Sequence, residues 1–168
     1  MIRAFIASLA AVGAVGVLVP MLGTPVIAAT GVRELTSDPA PGYYRIRNFG
    51  SDKYLAIGAS STENGAHAIQ WEYTGSEGQL WYINADRKII NANSRKCLAI
   101  GNGTTENGAH AIQWDCLNSN SQRWEISEDG YIRNVGTGKY LSIGASSTEN
   151  GAHAIQWAHT GSPGQHWV

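Results

Sequence analysis

The sequence predicts an all-β fold assembled from three equivalent lobes, on three observations. The segment TENGAHAIQW stands at residues 62–71, again at 105–114 and a third time at 148–157. All six tryptophans obey one 43-residue period: Trp71, Trp114 and Trp157 form one set, and Trp81, Trp124 and Trp167 form the other. Glycine is abundant, at 20 residues, and only 15% of residues are charged. That composition suits turns and short strands better than a helical bundle or a disordered chain.

Taken in order, residues 1–29 read as a signal peptide. Arg3 supplies a short positive start, an apolar run covers residues 4–22, and the small residues Ala28 and Ala29 offer a cleavage site. Gly13, Gly16 and Pro20 weaken a spanning helix, and the run is close to the lower limit of about 17 residues. The mature chain is therefore expected to be secreted, extracellular and without a membrane span. Residues 30–39 read as a short polar linker. The repeats then fill residues 40–168 without insertion or deletion, as lobes of about 40–82, 83–125 and 126–168.

Within the first lobe, YYRIRN alternates apolar and polar residues as a half-buried strand does. KYLAI is a second strand and AHAIQW a third, separated by the loop GASSTENG. EYTGSEGQ is a further turn-rich loop before the fourth strand, LWYI. Four strands in each of three lobes give twelve. Propeller blades have a similar length, but propellers use about four to eight of them. Three equal lobes point instead to a β-trefoil, a closed barrel capped by hairpins, whose closure hides the sheet edges. The first strands of the lobes share little, so identity is concentrated in TENGAHAIQW.

The net charge of −1 excludes a strong pull toward nucleic acid or an anionic membrane. Enzymatic chemistry is not expected. Glycoside hydrolysis normally takes two carboxylates across one bond, and only one acidic position, Glu63/Glu106/Glu149, recurs in every lobe. No G-x-S-x-G or H-E-x-x-H motif is present, and no cofactor is expected. His67, His110 and His153 are expected on the third strand of separate lobes, remote from one another, as hydrogen-bond donors to a ligand or a neighbouring loop. No metal site is assigned. Cys97 and Cys116, the only cysteines, are expected to pair in a secreted chain. Their matching positions in the other lobes are Tyr54/Tyr73 and Tyr140/His159, where rings would fill the same contact.

Each lobe closes on Gln-x-Trp: GQLW at residues 78–81, SQRW at 121–124 and GQHW at 164–167. With the cysteines placed in KCLAI and QWDC, the chain resembles the ricin B-type, or Q-x-W, β-trefoil lectin family from about residue 40 onward. The resemblance implies up to three carbohydrate sites, one per lobe. It makes Trp81, Trp124 and Trp167 core residues, and has Gln79, Gln122 and Gln165 orient the site from behind. One departure stands out. Galactose-binding members carry an aspartate after the leucine of the second strand, where this chain has Ala56, Ala99 and Ser142.

The expected carbohydrate contacts are therefore those of the repeated segment: Glu63, Asn64, His67 and Trp71, then Glu106, Asn107, His110 and Trp114, then Glu149, Asn150, His153 and Trp157. A glutamate is expected to replace the missing aspartate. The alternation of strand side chains leaves Trp71, Trp114 and Trp157 open between a sugar-stacking platform and additional core. Asn64, Asn107 and Asn150 equally suit a tight turn. The alternative function is a β-trefoil adaptor or targeting subunit that binds a protein partner in a secreted assembly.

Overall fold

The computed structural model describes residues 36–37 and 42–168. The expected signal peptide, residues 1–29, lies outside the described residues. These comprise twelve strands and six three-residue 3-10 turns, with no α-helix among them. No described helix is long and apolar enough to cross a membrane.

β1 (Thr36–Ser37) pairs antiparallel with β2 (Tyr43–Arg45). Those two residues, expected as linker, are thus part of a sheet. The first lobe holds β2 (Tyr43–Arg45), β3 (Tyr54–Ile57), β4 (Ala68–Trp71) and β5 (Trp81–Ile83). The second holds β6 (Ile89–Asn91), β7 (Cys97–Ile100), β8 (Ala111–Trp114) and β9 (Trp124–Ile126). The third holds β10 (Ile132–Asn134), β11 (Tyr140–Ile143) and β12 (Ala154–Trp157). Its expected fourth strand is reduced to single pairings, Trp167 with Asn48 and His166 with Tyr131. Arg47 and Val168 exchange two backbone hydrogen bonds of 2.8 Å and join the third lobe to the first.

The three lobes share one hairpin register. The hairpins β3–β4, β7–β8 and β11–β12 place Ala56 opposite Ile69, Ala99 opposite Ile112, and Ser142 opposite Ile155. One face of each hairpin supplies the core. Leu55, Leu98 and Leu141 are fully buried with Ala68, Ala111 and Ala154. Trp81, Trp124 and Trp167 sit among them at 0–2% exposure. Each indole N–H donates to the carbonyl of Leu55, Leu98 or Leu141 at 2.9–3.1 Å. A buried indole needs such a partner. The all-β trefoil and its tryptophan core are therefore as the sequence predicts.

The first strands have more in common than their differing letters suggest. Ile46, Ile89 and Ile132 are buried at the same register, as are Asn48, Asn91 and Asn134. Each asparagine accepts two backbone N–H bonds from the turn that follows it. Its amide donates to the backbone of a Gln-x-Trp loop, at Gly164, Gly78 or Ser121.

Cys97 and Cys116 form the expected disulfide, with a Cα–Cα distance of 5.1 Å, inside the usual range of about 4.4–6.8 Å. In the other lobes the corresponding contact is aromatic. The ring centroids of Tyr54 and Tyr73 are 5.5 Å apart, and those of Tyr140 and His159 are 4.8 Å apart.

Candidate functional site

The repeated segment divides into three parts with three destinations. Its loop reaches into the next lobe. Gln113 of β8 is fully buried, and its amide donates to the carbonyls of Ser61 and Glu63 at 2.8 and 2.9 Å. Asn64 Oδ1 accepts from the Asp115 N–H at 2.9 Å. Gln156 and Asn107 make the same contacts between the second and third lobes. Gln70 and Asn150 make them between the first and third. The clamps run round the barrel and close on themselves. Asn64, Asn107 and Asn150 are thus joints between lobes. Gly65, Gly108 and Gly151 supply the left-handed turn, with φ of +83° to +86°.

Glu63, Glu106 and Glu149 are exposed, and what the next lobe grips is their backbone carbonyls. The side chains of Glu, Asn and His do not line the clefts described below.

The second part is the strand end. Ala68 and Gln70 face inward while Ile69 and Trp71 face outward, so the alternation resolves in favour of a surface indole. Trp71, Trp114 and Trp157 are 38%, 41% and 39% exposed. One edge of each ring rests over the glycine of a neighbouring clamp loop. A Cβ built on Gly151, Gly65 or Gly108 would stand 3.6–3.7 Å from the ring.

Beside Trp71 lies a cleft of about 400 Å³, bordered by Ala56, Ser60, Ile69, Thr74 and Gln79. Its counterpart beside Trp114 is about 350 Å³, bordered by Ala99, Asn102, Ile112, Ser119 and Gln122. Both place the residue that stands for the missing aspartate on the wall. Ser76, which also lines the first cleft, recurs as Ser119 and Ser162, a 43-residue signal that the sequence reading overlooked.

Gln79 and Gln122 lie at the walls of these clefts, and Gln165 holds the matching position in the third lobe. Each is at most 2% exposed. Their amides donate to the carbonyls of Glu72, Asp115 and Ala158 at 2.7–2.8 Å. Their oxygens accept from the N–H groups of Thr74, Leu117 and Thr160 at 2.6–2.9 Å. The loop after each outer tryptophan is thereby fixed.

The backbone in front of the cleft is unusual. Ala59 and Ser60 have φ of 52° and 49°, repeated at Ala145 and Ser146, with Asn102 at 55° and Gly103 at 60°. Non-glycine residues in the left-handed region cost roughly 1–3 kcal/mol each and persist where surrounding structure dictates them. The first and third lobes pair Ser60 with Gly78 and Ser146 with Gly164. There a Cβ on the glycine would meet the serine Oγ at 2.6 or 2.7 Å. The second lobe exchanges the two, with Gly103 against Ser121. The contact has kept its volume while its residues changed places.

The third part overturns an expectation. His67, His110 and His153 are not remote from one another. β4, β8 and β12 start beside the pseudo-threefold axis, and the three rings meet there with centroids 4.5–4.8 Å apart. His153 Nδ1 is 2.9 Å from His67 Nδ1 and 3.1 Å from His110 Nδ1. Each histidine also forms a backbone bridge to the next strand, at Ile112, Ile155 or Ile69. Partial burial, and then the neighbouring rings, hold His67 and His110 below the ordinary histidine pKa. Separate lobes had suggested separation; symmetry about an axis brings equivalent residues together when they lie near it.

The ricin-type β-trefoil lectin domain matches residues 42–167. The chain belongs to that family. A designed threefold-symmetric protein, ThreeFoil, is 33% identical with a TM-score of 0.72, over 75% of this chain and 96% of its own. The exo-β-1,3-galactanase 1,3Gal43A from Clostridium thermocellum is 30% identical with a TM-score of 0.70, over 78% of this chain. The chain spans only 30% of that enzyme's length. The C-half of the earthworm R-type lectin, solved with GalNAc, shares the fold at 22% identity and a TM-score of 0.65, over 76% of this chain and 97% of its own. No curated protein matches the sequence. Membership of that family supports a carbohydrate-binding module.

Proposed function

We infer that the protein is a secreted, non-catalytic lectin with three equivalent carbohydrate sites, one beside each of Trp71, Trp114 and Trp157. The observation that carries this reading is an indole left about 40% exposed at the wall of a cleft, with a buried glutamine fixing the loop next to it. A ring in that position offers its face to the apolar face of a sugar. Hydroxyl and amide groups at the rim, Ser60 and Thr74 in the first lobe and Asn102 and Ser119 in the second, suit sugar hydroxyls.

Ala56, Ala99 and Ser142 lack the charged acceptor of galactose-binding members, so each site loses its strongest hydrogen bond. Three weak sites on one rigid body compensate through linked binding. Secretion is supported by the basic and apolar start of the chain and by the Cys97–Cys116 bridge, which belongs to an oxidising compartment.

The test is a glycan array probed with the chain lacking residues 1–29, beside the same chain carrying Trp71→Ala, Trp114→Ala and Trp157→Ala. Binding by the first and silence from the folded variant support the sites. Equal binding by both places recognition elsewhere. Silence from both, with capture of a secreted protein, supports the adaptor reading instead.

A further inference from the structure

Among the described residues, His67, His110 and His153 are the one group of three metal-capable side chains that converge. Their ligand atoms all lie within 4.8 Å of one another. Two of the three nitrogen spacings match those around a single small cation. Zinc–imidazole bonds of about 2.0–2.1 Å set neighbouring ligand nitrogens roughly 2.8–3.4 Å apart in octahedral or tetrahedral geometry. The two Nδ1 separations from His153 are 2.9 and 3.1 Å.

Hydrogen bonding alone leaves this arrangement incomplete. A neutral imidazole nitrogen is either a donor or an acceptor. His153 Nδ1 faces two neighbours with either one proton or one lone pair. A cation accepts lone pairs from all three rings at once.

The frame is also rigid. The histidines stand at the starts of three symmetry-related strands, and the backbone bridges to Ile112, Ile155 and Ile69 fix their spacing. All three are exposed, so water can complete the coordination from the solvent side. Three nitrogens and no carboxylate select zinc, copper or nickel over calcium and magnesium, which demand oxygen.

We propose that the protein binds one zinc-class divalent ion on its pseudo-threefold axis through Nδ1 of His67, His110 and His153, joining the three lobes at one point. The site is separate from the clefts and does not depend on the lectin reading.

The test uses untagged, chelator-stripped chain lacking residues 1–29, titrated with zinc chloride in a calorimeter, with calcium chloride as the control. One zinc per chain is expected, a higher Tm with zinc, and no heat from calcium. Histidine NMR signals should shift for these three rings and not for His159 or His166. The variant His67→Asn/His110→Asn/His153→Asn should fold and lose the binding, and His153→Asn alone should lose most of it. Zinc binding that survives in the triple variant, or none to the parent at millimolar zinc, overturns the proposal. If the triple variant fails to fold, the NMR signals decide, and shifts confined to His159 and His166 count against it.

Discussion

Two sets of tryptophans, each repeated with the same spacing, have opposite fates. Trp81, Trp124 and Trp167 are 0–2% exposed, with each indole N–H bonded to a leucine carbonyl inside the barrel. Trp71, Trp114 and Trp157 are 38–41% exposed at the wall of a cleft or at the matching position in the third lobe. On the lectin reading, exact repetition has two causes in one chain. The inner ring is repeated because three lobes share one core. The outer ring lies on the surface, about 40% exposed with one edge over a clamp-loop glycine, and a ligand is the reason we propose for its repetition.

The comparison breaks most sharply on stability. Trp124→Ala should cost about 3–5 kcal/mol, the usual price of emptying a buried aromatic site. Trp114→Ala, on the surface, should stay within about 1 kcal/mol of the parent. Urea unfolding followed by circular dichroism measures both. Similar losses at the two positions would erase the distinction between the rings.

An intermediate effect is expected where the repeated segment turns inward. Gln113→Ala removes the donor to the Ser61 and Glu63 carbonyls, both held by one buried amide. Leaving such groups unpaired costs about 1–3 kcal/mol. Glu63→Gln should change neither stability nor glycan binding, since the clamp uses the glutamate backbone and the clefts do not include its side chain.

Smaller still is a single junction. Asp115 is held below the ordinary carboxylate pKa by hydrogen bonds from Lys96 and then Asn64. A depressed folded-state pKa stabilises above the unfolded value and loses that contribution as pH falls through the folded one. Asp115→Asn should therefore lower the Tm slightly at neutral pH, and the gap should close below about pH 4. A gap that persists in acid would assign the loss to packing.

The smallest effect separates one lobe from its equals. Ser51 and Ser94 donate to Gln70 and Gln113 at 2.6 Å, but Thr137 stands in the third lobe, where buried Gln156 Oε1 lacks a partner among the described residues. Thr137→Ser should raise stability by about 1 kcal/mol, read as a higher urea midpoint.

The period made the trefoil, the inner tryptophans, the disulfide and its aromatic counterparts legible, because each depends on the register of a residue within its lobe. Contacts between lobes were not legible. Asn64, expected at a ligand or a turn, joins Asp115 across a boundary, and Gln70 is buried beneath the neighbouring loop. Asn48, Asn91 and Asn134 were hidden by divergent neighbours, although their spacing was in plain view. The histidines show the same gap. A linear repeat says which residues are equivalent and leaves out how far each lies from the axis.

The most direct test is a binding titration of the outer triple variant, Trp71→Ala/Trp114→Ala/Trp157→Ala, against the best glycan found on the array. Unfolding is measured on the same sample. The outer rings should prove necessary for binding and dispensable for the fold: no saturable binding, with a Tm within a few degrees of the parent. Parent-like affinity in a folded triple variant would contradict that, and so would a triple variant that no longer folds.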